Sequence, residues 1–76
     1  MNEIKNLDVV ALLVDLRQHR LQRGAVGTVV EMFTANEHHP GGYIVEFVDE
    51  SGQTYALADI TDKAQLIPLR FRQEAA

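Results

Sequence analysis

A chain of 76 residues is enough for one small domain, and with no cysteine it has neither disulfides nor thiolate chemistry to draw on. A hydrophobic fraction of 46% argues for a folded chain rather than a disordered one, and a net charge of −4 argues against a general polyanion binder. No apolar run approaches the length that crosses a bilayer, and Met1-Asn2-Glu3-Ile4-Lys5-Asn6 is too polar for a secretory leader, which points to the cytoplasm.

No run holds a helical period, whereas short β-rich runs divided by turn signals recur along the chain. The first covers residues 7–14 and the polar excursion 15–23 follows it, ending at Gly24. The second run is 26–33, and the loop 34–42 after it carries His38-His39-Pro40-Gly41-Gly42. A third run covers 43–48 and a fourth 53–58, joined by Asp49-Glu50-Ser51-Gly52. Residues 59–62 suit a single helical turn with Asp59 as its N-cap, the fifth run is 65–69, and the tail 70–76 is polar apart from Phe71 and is expected to fray.

The turn at 49–52 fixes a hairpin register, since it suits a type I turn with Gly52 in the left-handed position. That register sets Asp49 opposite Gln53, Phe47 opposite Tyr55 and Val45 opposite Leu57. One face then carries Tyr43, Val45, Phe47, Tyr55 and Leu57 as a core, which a one-residue slip would divide between core and solvent. The sum of these elements is an all-β domain: a small five-stranded SH3-like barrel spanning 1–76, with its core at about 7–69 and one helical turn before the last strand.

Several segments carry a resemblance. Leu7-Asp8-Val9-Val10-Ala11-Leu12, Gly24-Ala25-Val26-Gly27-Thr28-Val29-Val30-Glu31 and Tyr43-Ile44-Val45-Glu46-Phe47-Val48-Asp49, with Gly52-Gln53-Thr54-Tyr55-Ala56-Leu57 and Gln65-Leu66-Ile67-Pro68-Leu69, resemble the family labelled domain of unknown function 4926. The resemblance implies a short bacterial barrel with no catalytic residues to carry over. Similar barrels serve as accessory domains in nitrile hydratase subunits and as docking subunits of larger complexes. The chain departs from the family pattern at Leu12-Leu13-Val14, where a polar residue is usual, and at the His pair of the middle loop.

Candidates for chemistry are few. Gly24 and Gly27 lead into a strand and not a helix N-terminus, so they make a turn and a strand bend, not a phosphate loop. His38 and His39 are weak metal candidates, since a structural zinc site wants four ligands and adjacent residues on a strand point apart. Ser51 is the only serine, sits in the hairpin turn and lacks a nucleophile elbow. Asp49 and Glu50 share that exposed turn, where nothing drives their pKa values apart for acid–base work. No enzyme and no cofactor are expected. Arg17, Arg20 and Arg23, with His19, gather positive charge in the first long loop, and Arg70 and Arg72 add to it on the tail. They support a nucleic-acid-binding alternative, although no cluster of exposed aromatics accompanies them.

The strongest anomaly is apolar. If Leu7, Val9, Ala11 and Leu13 face the core, then Val10, Leu12 and Val14 face outward, joined by Ile44 and Val48 of the third strand. A domain this small buries only about 60% of the surface of its unfolded chain and gains from a partner that covers such a stripe. The sequence therefore predicts a non-enzymatic interaction or accessory module that forms a homo-oligomer or docks on a protein partner. Val10, Leu12, Val14, Ile44 and Val48 are its interface candidates, and small-molecule or metal binding at the middle-loop histidines is a further alternative.

Overall fold

The computed structural model describes residues 3–69; the tail at 70–76 lies outside them. Five antiparallel strands, β1 (Val9–Leu12), β2 (Val26–Phe33), β3 (Gly42–Val48), β4 (Thr54–Ile60) and β5 (Leu66–Pro68), form one sheet in the order β4-β3-β2-β1-β5. Two 3₁₀ turns, Arg17–His19 and Lys63–Gln65, complete the described secondary structure. The all-β, five-stranded architecture and the helical turn before the last strand are as expected. The turn lies further along the chain than predicted. Ile60 is claimed by the core as the last residue of β4, so Asp62 and not Asp59 caps the turn, accepting from the Ala64 N–H at 2.9 Å.

Among the described residues no second layer covers the sheet, yet Val10, Val29, Val45, Phe47 and Ala58 are fully buried. The sheet buries them by curling on itself. Ala58 and Ile60 on one edge strand and Leu66 on the other belong to the same cluster. A flat sheet of this order would hold its edges about 19 Å apart at the usual strand spacing. Two bulges supply part of the bend. Register shifts between Val29 and Glu31 leave Val30 as the extra residue of β2, and a shift opposite Phe47 and Val48 leaves Tyr55 as the extra residue of β4.

The second bulge overturns the predicted hairpin core. The turn itself matches: Gly52 has φ +85°, its N–H donates to the Asp49 carbonyl at 2.9 Å, and the Asp49 N–H donates to the Gln53 carbonyl at 2.9 Å. Val48 then pairs with Thr54, but Phe47 pairs with Ala56 and Val45 with Ala58. Past Tyr55 the alternation is inverted, so Ala56, Ala58 and Ile60 point inward while Tyr55 and Leu57 are 55% and 57% exposed. The Phe47 ring fills the space that a facing tyrosine would need, and alanines fit beside it.

The first strand is also turned over relative to expectation. Val10 and Leu12 lie in the core, Val9 and Ala11 are half-buried on the other face, and Leu7 and Leu13 are exposed. Both alternate sets are apolar, so alternation does not choose between them; the bulkier pair takes the inside. Counting from Leu7 fails for a separate reason, because Leu7 is in a turn and not in the strand. The Asp8 N–H donates to the Lys5 carbonyl at 3.0 Å, the Lys5 N–H donates to the Asp8 carboxylate at 2.9 Å, and Leu7 adopts φ +73° between them.

That third turn position is one that glycine or asparagine normally takes. With its side chain 71% exposed, Leu7 has little packing to set against the strain. Leu7→Gly is therefore expected to stabilise the domain by about 1 kcal/mol, read as a rise of about 4–8 °C in melting temperature. An unchanged or lower Tm would show that the turn does not carry that strain.

At the hairpin tip the opposite substitution is costly. Gly52→Val forces a β-branched residue into positive φ and should lose more than about 1 kcal/mol in a thermal melt; no change in Tm would remove this turn geometry. Asp49 holds the same turn together. Its Oδ1 accepts from the Ser51 hydroxyl at 2.8 Å, the Ser51 N–H at 2.9 Å and the Gln53 N–H at 3.0 Å. These bonds, the Ser51 hydroxyl foremost, hold its carboxyl below the ordinary aspartate pKa. The turn keeps their contribution at neutral pH and loses it as the pH falls through that lowered pKa.

Three core contributors lie outside the predicted core strands. Ile4 is buried from the N-terminal segment, and Leu21 is buried with Leu16 packed against the same cluster. Leu16 and Leu21 exchange backbone hydrogen bonds of 2.8 and 3.0 Å, closing the polar excursion into a small lobe with the Arg17–His19 turn at its tip. Two leucines five residues apart, either side of a polar run, were the available signal.

Candidate functional site

Two hollows and one exposed sheet face stand out on the described surface. The larger hollow, about 540 Å³, lies where the end of β2 and the middle loop meet the end of β4, and Met32, Phe33, His39, Pro40 and Asp59 are among its lining residues. Asn36 shapes the loop: its side-chain oxygen accepts the His38 N–H at 2.8 Å and the His39 N–H at 2.9 Å. The two histidines part as a result, and His39 lines the hollow while His38 does not. Among the described residues no three His, Cys, Asp or Glu side chains gather as a metal would need.

The second hollow, about 320 Å³, is bordered by Arg20, Gln22, Arg23 and Tyr55 over Leu21 and Ala25. It unites two of the three loop arginines. Arg20 closes the 3₁₀ turn with φ +58°, and the Arg23 N–H donates to the Asp15 carboxylate at 2.8 Å. Arg17 is exposed on the turn and does not border the hollow. The approach of Tyr55 to these arginines was not foreseen, because it depends on the bulge that turns Tyr55 out of the core.

The outer face of the sheet is read strand to strand from the register. Ile67, Ala11 and Val26 form one row across β5, β1 and β2. Val9, Thr28, Glu46 and Leu57 form the next across β1 to β4. Val48 stands two residues beyond Glu46 on the same face, on the Val26 side. Val26, Val48 and Ile67 are 49%, 46% and 39% exposed. Glu46 is the acidic break in the patch, and its carboxylate accepts the Thr54 hydroxyl.

Of the five interface candidates, the structure keeps Val48 exposed and leaves Val14 and Ile44 half-buried. Val10 and Leu12 are withdrawn, since both are core residues. Val26, Leu57 and Ile67 take their place; the inverted parity of β1 and the bulge of β4 hid them.

No helix among the described residues is long and apolar enough to cross a membrane. No curated protein and no solved structure matches the chain. The model of the family described as Domain of unknown function (DUF4926) matches residues 6–68, from the turn before β1 to the end of β5, and the chain belongs to that family.

Proposed function

We propose that this chain is a non-enzymatic interaction module of SH3-like build, acting in the cytoplasm, whose outer sheet face meets another protein chain, a second copy first of all. The strand order, with β5 returning to β1 after a 3₁₀ turn, supports the SH3-like assignment. The observation that carries the interaction reading is the contiguity of exposed apolar side chains, Ile67 to Val26 in one row with Val48 and Leu57 beside it. Scattered apolar residues are ordinary on any surface, whereas a joined patch marks a contact. Ser51, the one serine, has its hydroxyl committed to Asp49, which supports a turn role over a nucleophilic one.

Charging two places in the patch at once, Val26→Glu with Leu57→Glu, tests the reading by light-scattering mass. At about one millimolar the wild type should average heavier than the 8.5 kDa monomer, and the double variant should stay at monomer mass. An equal mass for the two proteins would contradict it.

Arg20, Arg23 and Tyr55 around one hollow favour nucleic acid as the second reading. Phosphate contacts strengthen steeply as salt is lowered, so this reading requires oligonucleotide retention at low ionic strength. We expect none.

A further inference from the structure

The two edges of the sheet are not alike. β5 is three residues long and ends in Pro68, which has no N–H to offer. β4 is seven residues long and contains neither proline nor lysine, the common guards of an open edge.

Which β4 residues aim their backbone outward follows from two glycine contacts. The Ile60 carbonyl oxygen lies 2.7 Å from where a Cβ on Gly42 would stand, so Ile60 and, by alternation, Ala58 direct their backbone groups at β3. The Glu46 carbonyl oxygen lies 2.8 Å from the corresponding point on Gly27, so Glu46 faces β2 and leaves Val45 and Phe47 to face β4, in agreement. Leu57 and Asp59 are then left with N–H and C=O directed at the free edge. Among the described residues nothing accepts from or donates to those groups, and the Arg17–His19 turn, which packs near β4, makes no hydrogen bond to them.

We propose that a second copy of this chain adds its own β4 to this edge, antiparallel and about a two-fold axis at Leu57, so that two five-stranded sheets become one. This rests on the interaction reading above only in requiring self-association: the seam meets the exposed patch at Leu57 and leaves Val26 and Ile67, across the sheet, uncovered. Self-pairing is favoured by what the axis places together. Leu57 meets Leu57, Ala56 meets Ala58, and Tyr55 meets Asp59 across the seam. No carboxylate faces a carboxylate, and the phenol of the partner's Tyr55 donates to Asp59. An axis at Asp59 would instead set two like charges opposite one another, which selects against it. Asp59 also borders the larger hollow, where Met32, Phe33 and Pro40 offer an apolar wall to a tyrosine ring whose hydroxyl reaches that carboxylate. A seam of about five residues a side covers less than the roughly 1,200 Å² of a standard stable interface, so the dimer is weak and concentration-dependent.

Sedimentation equilibrium on the wild type and three variants tests this. Leu57→Pro removes an N–H only at the free edge, where proline is tolerated, and should weaken dimerisation at least about tenfold while the melt stays cooperative. Tyr55→Asp sets two carboxylates face to face and should weaken it to a similar degree. Combining Tyr55→Asp with Asp59→Lys restores an opposite pair at the same place and should bring the affinity back. A dimer indifferent to Leu57→Pro and Tyr55→Asp overturns the edge pairing while leaving the interaction reading in place. A double variant no tighter than Tyr55→Asp overturns the Leu57-centred register. A wild type with no dimer at any concentration overturns the pairing outright.

Discussion

Leu12→Glu is expected to abolish folding rather than to dissociate an assembly. Leu12 is 1% exposed, pairs with Leu66 and donates its N–H to the Ala25 carbonyl at 2.9 Å, so a side chain there has no route to solvent. An ionised carboxylate without a buried partner costs several kcal/mol even after its pKa rises to neutralise it. A domain of 76 residues has about 4–11 kcal/mol of stability in all. Circular dichroism should show no cooperative melt. Val48→Glu, on the exposed face, should stay within about 1 kcal/mol of wild type by the same measurement. A folded Leu12→Glu with a near-native Tm would mean that β1 presents its other face to the core.

The second large effect is expected at Gly27. A Cβ there would stand 2.7 Å from Val45 Cγ1, 2.8 Å from the Glu46 carbonyl oxygen and 2.9 Å from Phe47 Cδ2. Val45 and Phe47 are fully buried and cannot swing away, and the third neighbour is backbone of the adjacent strand. One methyl group must therefore push β2 and β3 apart at the centre of the core. Overpacking of this kind costs about 3 kcal/mol, which in a domain this small lowers Tm by about 12–24 °C. A Gly27→Ala melt within about 4 °C of wild type would show that the strands are not in such close approach.

The legible parts of the fold are those where one residue type has one reason to be present. The Asp49–Gly52 turn was readable because only glycine sits comfortably at its last position, and the bounds of β2 because Gly24 precedes it and a Gly-rich loop follows. The faces of β1 were not readable, since Val9 and Ala11 compete with Val10 and Leu12 on hydrophobicity alone. Nor was the Tyr55 bulge, because one inserted residue exchanges a tyrosine–leucine face for an alanine–isoleucine face and both are apolar. These two ambiguities decided the candidate site. Phe47 and Glu46 fix the parity of β3 and so put Val48 and Ile44 on its outer face, whereas a hairpin without the bulge puts Leu57 and Tyr55 in the core. The meeting of His39 and Phe33 with Asp59 is beyond local pattern, since it joins the middle loop to β4 across β3.

The claim that this domain works by joining chains is tested most directly by sedimentation equilibrium of the wild type from about ten micromolar to about one millimolar, the range in which a weak interface forms. The account predicts a mass that rises with concentration from the 8.5 kDa monomer toward twice that value. A mass that holds at the monomer across the whole range would contradict it.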